Sequence, residues 1–137
     1  MCMVDMNNIE INKLKKVTVV LGEKKKRKIV LKNIVENNKK EAVYVSTGLF
    51  NKFLFLLENG KLDDLKVLVL DDSFNKHSVV EKLNFIKILF EFIEDNDFKI
   101  ILGTLSMDMV IVLENMVSNF KLNNDCECYC LEANKNE

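Results

Sequence analysis

The feature that most constrains the fold of this chain is an alternation of short apolar segments with longer segments of helical periodicity. Five segments rich in β-branched or alternating apolar residues predict strands. They are residues 17–21, 41–46, 66–71, 98–103 and 126–131. Between them, apolar residues recur at spacings of three and four, which predicts helices. These are residues 27–39, 49–59, 76–95 and 107–120. Such alternation is typical of a parallel sheet covered on both faces, so we expect an α/β fold, a three-layer αβα sandwich around a mostly parallel five-stranded sheet.

The length of the chain predicts a single domain over residues 1–137. A chain of 137 residues is too short for two ordinary domains, and its 48% hydrophobic and 30% charged residues suit a core and a polar surface. We expect the core at residues 17–131, an irregular lead-in or short strand at 1–16, and a frayed tail at 132–137. The longest apolar runs have five residues, whereas a membrane span needs about 20. We therefore expect a cytoplasmic protein with no membrane partner.

Positive charge is concentrated in one short segment. The net charge is −1, which disfavours nucleic acid as a partner, yet residues 24–28 read KKKRK. One interpretation is a solvated turn. The other is an anion site, because a phosphate-bearing ligand at a helix N-terminus would meet both the cationic side chains and the free backbone N–H groups.

The segment around these cations resembles a phosphate loop of the RecA/KaiC-like P-loop ATPases. VTVVLG at residues 17–22 resembles the first strand and the first glycine of that loop. Lys28 stands six residues after Gly22, where the motif has its lysine. The order of the other motifs supports the resemblance, which covers residues 17–131.

Three later segments also resemble those of this family, in the same order. They are VYVST at residues 43–47, similar to the second strand, VLVLDDS at 67–73, similar to the Walker B strand, and IILGTLS at 100–106, similar to the strand after it. The resemblance implies a RecA-like topology with the sheet order 5-1-4-3-2. It also implies ATP or another phosphate-bearing ligand, and a second copy or a related ATPase subunit as partner.

Several functional residues of the family are replaced in this chain. Arg27 stands at the second glycine of the loop, and Ile29 replaces the Ser/Thr that binds Mg²⁺. Ser46 and Thr47 stand where the catalytic Glu follows the second strand. The resemblance thus implies a degenerate member without ATPase activity, which acts by binding a ligand or a protein. We predict no catalytic residue and no metal site.

The candidate site residues form three groups. The candidate anion-binding residues are Gly22, Lys24, Lys25, Lys26, Arg27 and Lys28. The Walker B-like residues are Asp71 and Asp72, which can also be read as ordinary polar residues at the end of a buried strand. The residues expected at the crevice edge are Ser46, Thr47, Thr104 and Ser106, because parallel sheets bind ligands at the carboxyl ends of their strands.

Two other functions remain open from the sequence. One is a weak nucleotide-binding ATPase that uses Lys28 and Asp71. The other is an interaction module whose surface is the long helix at residues 76–95. Phe85, Ile88 and Phe92 are apolar residues beside the main stripe of that helix, and they either widen its core face or form a subunit contact.

The cysteines near the end of the chain alternate along the fifth predicted strand. Cys126, Cys128 and Cys130 should therefore share one face. A C-x-C-x-C pattern on an extended strand does not converge on one zinc ion, so we interpret these residues as buried apolar thiols. His77, at the start of a predicted helix, is interpreted as an ordinary surface residue.

Overall fold

The computed structural model describes residues 10–45, 55, 58–60, 64–71, 78–95, 98–104, 107–119 and 123–131. Five strands and three helices of more than one turn lie within these ranges. They are β1 (Val17–Leu21), α1 (Lys24–Asn37), β2 (Ala42–Val45), β3 (Val67–Asp71), α2 (Val79–Asp95), β4 (Lys99–Thr104), α3 (Met107–Asn119) and β5 (Cys126–Cys130).

The strands form one sheet in the order β2-β3-β4-β1-β5, and all four pairings are parallel. Read from the other edge, this is the order 5-1-4-3-2 that the resemblance to P-loop proteins implied. The predicted α/β fold is therefore confirmed. β1, β3 and β4 are central, and their apolar residues are buried on both faces, as their continuous hydrophobic runs indicate.

Helices cover both faces of the sheet, which gives the predicted three layers. On one face, Phe90 and Ile93 of α2 and Met116 of α3 pack with Leu68 and Ile100 of the sheet. The other face has its own cluster, formed by the inner side of α1, the lead-in and the opposite sides of the strands. Its buried members are Ile11, Leu14, Val20, Leu31, Ile34, Ala42, Val67, Val69 and Ile101.

The lead-in carries a short 3₁₀ turn, Ile11–Lys13, in the described residues 10–16. Ile11 and Leu14 are buried against the α1 face of the sheet. Lys99 at the start of β4 donates hydrogen bonds from Nζ to the carbonyl oxygens of Ile11 and Asn12, at 2.8 and 3.2 Å. This segment therefore extends the core on the α1 side.

Helix α1 begins at Lys24, three residues earlier than its predicted start. Only Gly22 and Glu23 separate it from β1, and Glu23 has the extended conformation of an N-cap residue. The helix starts this early because lysine and arginine have a high helix propensity. The basic segment is therefore the first turns of a helix and not a loop.

The helix predicted at residues 49–59 lies largely outside the described residues, although Phe55 and Glu58 within it are helical. Helix α2 begins after Ser78, and the described contacts explain this boundary. The Ser78 Oγ accepts from the Glu81 N–H at 3.2 Å, and the Ser78 N–H donates to Glu81 Oε1 at 3.3 Å. This reciprocal pair is a capping box.

The apolar residues beside the main stripe of α2 divide between core and surface. Phe85 and Phe92 pack against the core cluster, and the Phe92 ring meets that of Phe98 edge-on at 5.2 Å between centroids. Ile88 is 40% exposed, and Val80 is also exposed. The two phenylalanines therefore widen the core face, while Ile88 remains at the surface. None of the helices in the described ranges is long and apolar enough to cross a membrane.

Candidate functional site

Arg27 lies in the second turn of α1 and points into the protein. Its side chain is 1% exposed, and it shares the buried face of the helix with Leu31 and Ile34. Nε donates a hydrogen bond to Asp71 Oδ1 at 2.8 Å, and Nη1 donates to the carbonyl oxygen of Gly22 at 2.6 Å. The guanidinium therefore ties the end of β1 to the end of β3.

Asp71 is the last residue of β3, and both of its carboxylate oxygens accept hydrogen bonds from the protein. Its side chain is 5% exposed. Oδ1 accepts from Arg27, and Oδ2 accepts from the hydroxyl of Tyr44 at 2.9 Å. Tyr44 reaches this oxygen from β2, the neighbouring edge strand. Charged, buried hydrogen bonds of this kind are shorter and stronger than neutral ones.

Gly103 has no side chain, and this leaves room for the Arg27–Asp71 ion pair. It lies opposite Asp71 in the parallel register of β3 and β4. A Cβ at this position would lie 2.7 Å from Leu31 Cδ1 and 2.8 Å from Asp71 Oδ1. The glycine therefore allows Arg27, Asp71 and Leu31 to meet over the sheet. We call Arg27, Asp71, Tyr44 and Gly103 the ion-pair site.

The connection between β1 and α1 does not form a wrapping loop. A phosphate loop uses several consecutive backbone N–H groups to surround an anion before its helix begins. Here the connection is Gly22 and Glu23, and the Gly22 N–H donates to the carbonyl oxygen of Thr104 at 3.4 Å. The backbone is thus bonded to β4, and the Arg27 side chain lies over the ends of the strands.

The candidate anion-binding cations do not converge. Lys24, Lys25 and Lys28 are exposed along the outside of α1, Lys26 is half-buried, and only Arg27 is buried. Lys28 is exposed on α1, whereas the carboxylate of Asp71 is buried and accepts hydrogen bonds from Arg27 and Tyr44. The structure instead places Arg27 beside Asp71.

The crevice-edge candidates are only partly described. Thr104 is buried at the end of β4, where its carbonyl receives the Gly22 N–H. Other predicted residues lie outside the described part of the chain. They are Ser46, Thr47, Asp72, His77 and Ser106.

Cys126, Cys128 and Cys130 line one wall of an open groove between β5 and α3, as their shared face predicted. The groove has a volume of about 650 Å³. The prediction that these residues are buried is wrong, because β5 is an edge strand and α3 covers it only in part, which leaves them half-buried. Burial nevertheless raises the pKa of Cys126 and Cys128. Within the described ranges, no three potential ligands group to hold a metal ion.

Two features of the ion-pair site were not found from the sequence. Tyr44 was read only as part of a strand, and nothing in its local pattern marks the hydroxyl as a partner of Asp71. Arg27 precedes Leu31 by four residues and Ile34 by seven, which is the spacing of one helix face. Spacing alone does not predict a buried cation, because arginine is rarely buried unless it is paired. Ile29 lies outside that face and is 61% exposed.

Comparisons with known proteins identify a similar structure but no family. No family model matches the chain, and no curated protein matches it. Among solved structures, the chain is similar to one described as the crystal structure of the DnaC helicase loader. The identity is 18%, the match covers 93% of this chain and 84% of that chain, and the TM-score is 0.49. Similarity at this level carries no argument about function.

Proposed function

We propose that this chain is a degenerate RecA/KaiC-like P-loop protein that acts by binding and does not hydrolyse ATP. The observation that carries the proposal is the buried pair of Arg27 and Asp71. The acidic residue that would serve a nucleotide-bound metal is bonded to a cation of the protein itself. That cation stands at the position of a loop glycine.

The energetics of the ion pair support this proposal. A nucleotide in this position would have to displace Arg27 and leave a buried charge without its partner. Breaking a buried pair costs about 3–5 kcal/mol. Since each 1.4 kcal/mol is a tenfold change in affinity, we expect the pair to weaken nucleotide binding by roughly 100- to 4,000-fold.

The acid at the end of β3 is already engaged by side chains of the protein. A hydrolysing ATPase needs a side chain that orients the attacking water. Asp71 is the acid at the end of β3, and both of its oxygens accept hydrogen bonds from Arg27 and Tyr44. A weak ATPase built on Lys28 and Asp71 gains no support from this arrangement.

The surface supports a binding role. Ile29, Val80, Ile88 and Ile111 are exposed apolar residues on the outer sides of α1, α2 and α3. Single exposed apolar residues are common, but Ile29 lies among lysines, and Val80 and Ile88 lie on the same long helix. If the chain is related to RecA/KaiC-like P-loop proteins, as proposed, a second copy or a related ATPase subunit is the partner that fits.

Calorimetric titration and phosphate-release assays with Mg·ATP test the proposal. The natural protein should show no heat of binding, no thermal shift and no phosphate release above the rate without protein. Turnover at rates typical of P-loop ATPases would contradict it. Arg27→Gly restores the glycine of the motif and removes the cation, and Lys24→Ala is the matched control because it removes an exposed cation from the same helix end. If the ion pair is what excludes ATP, only Arg27→Gly should gain any binding.

A further inference from the structure

The outer side of α1 presents an apolar residue surrounded by positive charge. Ile29 is 61% exposed. Lys25 and Lys32 lie one turn before and one turn after it on the same side of the helix, and Lys28 precedes it in the chain. All three lysines are exposed. We call Ile29 and these three lysines the α1 knob.

The groove between β5 and α3 has the complementary character. Its walls include Val110, Leu113 and Val117 of α3 and the thiols of β5, and the acidic residue whose side chain lies on this face is Glu114 of α3. Because burial raises the pKa of Cys126 and Cys128, these thiols stay neutral near pH 7. The result is an apolar channel with one acidic side chain, that of Glu114, in its lining, which we call the β5–α3 groove.

We infer that the α1 knob of one copy of this chain inserts Ile29 into the β5–α3 groove of a second copy, with the lysines of the knob facing Glu114. The charges of the two surfaces are opposite, and each surface has apolar character at its centre. The inference deepens the proposed function, on which it rests for the view that the chain acts by binding, and it names the partner and the surfaces.

The positions of the two surfaces set the symmetry of the contact. α1 packs on one face of the sheet, whereas α3 and the cysteine side of β5 belong to the other. In a two-fold dimer, the knob and the groove of one copy would both have to contact the same second copy. Since they lie on opposite faces, the contact is head-to-tail and leaves one free knob and one free groove at the ends of each assembly.

The distribution of charge explains why the occupant is a second copy. Without Lys25, Lys28 and Lys32 of the α1 knob, the net charge of −1 becomes −4 for the rest of the chain. The chain thus carries a basic segment and a predominantly acidic remainder. A contact between them gains from electrostatic steering and weakens in salt.

Native thiols in the groove allow a direct test by disulfide cross-linking. Cys126 and Cys128 are free and line the groove. With Ile29→Cys, mild oxidation should give a ladder of dimers and larger species. Mass spectrometry should identify the bond from position 29 to Cys126 or Cys128 of another copy. The matched control is Ile111→Cys, at an apolar position of α3 that is 55% exposed and does not line the groove.

The ladder should fall at least tenfold when Cys126→Ser, Cys128→Ser and Cys130→Ser are all added, because these are the three cysteines that line the groove. It should also fall in about 1 M salt, where the Debye length is only about 3 Å. An equally strong ladder from Ile111→Cys would overturn the inference. So would a ladder that persists without Cys126, Cys128 and Cys130.

A mixing experiment tests the head-to-tail geometry without cross-linking. Ile29→Asp removes the knob and keeps the groove, whereas Glu114→Arg reverses a charge in the groove and keeps the knob. By light scattering, each variant alone should associate at least tenfold more weakly than the natural protein. An equal mixture should restore dimers and no larger species. Natural protein that stays monomeric at every concentration would overturn the inference.

The two proposals can fail separately. Phosphate release should be measured on the same samples. Natural protein that neither associates nor turns over ATP would overturn only the assembly contact, whereas natural protein that associates and turns over ATP would overturn only the proposed absence of hydrolysis.

Discussion

The ion-pair site and the β5–α3 groove belong to the same parallel sheet, yet one is closed and the other is open. At the ends of β1, β3 and β4, Arg27 and Asp71 fill the space, and Tyr44 completes the hydrogen bonding of the carboxylate. At the edge of the sheet, α3 covers only part of β5, and three half-buried cysteines face the opening.

The difference follows from what each set of side chains requires. A buried guanidinium and a buried carboxylate are costly unless each is paired in a fixed geometry. They therefore specify one closed arrangement. Thiols and aliphatic groups need no partner, so a groove lined by them can stay open at little cost. We infer that the closed site contributes specificity of packing and that the open groove is available to a partner.

The largest expected effect comes from breaking the ion pair on one side. Asp71→Ala should lower the free energy of unfolding by about 3–5 kcal/mol, because it leaves the Arg27 charge buried without its partner. Urea unfolding followed by circular dichroism would measure this loss. In the groove, Cys128→Ala should cost much less, because no charge or hydrogen bond depends on that thiol in the described contacts.

A double variant separates charge from packing at the same place. Arg27→Met with Asp71→Leu removes both charges and keeps apolar volume, so it should lose less stability than Asp71→Ala alone. If Asp71→Ala costs less than about 1 kcal/mol, the two regions do not differ in the way proposed here, since that value is typical of an exposed pair.

The next largest loss of stability is expected from filling the space at Gly103, beside the ion pair. Gly103→Ala should destabilise the protein by about 1–3 kcal/mol, because its Cβ would press on Leu31 and on the fixed carboxylate of Asp71. Thermal unfolding would measure it. Asn115→Ala on the exposed side of α3 is the control and should stay within about 0.5 kcal/mol of the natural protein. Equal effects of the two substitutions would show that the site tolerates rearrangement.

Removal of one hydroxyl should have a smaller effect. Tyr44→Phe keeps the ring beneath the Lys32 ammonium, which lies 5.6 Å from its centroid, and removes the donor to Asp71 Oδ2. We expect a loss of about 1–2 kcal/mol, because a buried acceptor then lacks a partner. Lys32→Met, which removes only the cation–π contact, should cost about 0.5–1 kcal/mol. A larger loss of stability for Lys32→Met than for Tyr44→Phe would contradict this prediction.

The smallest effect is expected in the groove, from the ionisation of its thiols. Burial favours the neutral form of the Cys126 and Cys128 thiols, so their pKa is higher in the folded protein than in the unfolded chain. In the unfolded chain, cysteine thiols titrate at about pH 8.5. Stability should be unaffected below that pH and should decline as pH rises towards the higher pKa of the folded state. Alkylation of Cys126 and Cys128 by iodoacetamide at pH 7 should be slower in the folded protein than in urea.

A variant with Cys126→Ser and Cys128→Ser is the control for this pH dependence and should lose the decline that these thiols cause. Equal alkylation rates in the folded and unfolded protein at pH 7 would show that the groove does not disfavour the thiolate.

Much of the fold could be predicted from local pattern. Continuous apolar runs such as residues 67–70 predict central strands of a parallel sheet, and the order of motifs implied the strand order that the structure confirms. The start of α1 was predicted three residues late, because a basic run was read as a loop in spite of its helix propensity. The shared face of the cysteines was predicted from strand alternation, but their partial exposure depends on how far α3 extends over β5.

By itself, the sequence determined the strands, the helices and the presence of five adjacent cations at one end of α1. It could not determine which of those cations is buried. Five consecutive residues of a helix point in different directions around its axis, and only the packing of α1 against the sheet selects the one that faces inward. That packing places Arg27 over Gly103 and beside Asp71, so the tertiary structure decided that the segment resembling a phosphate loop contributes an internal ion pair.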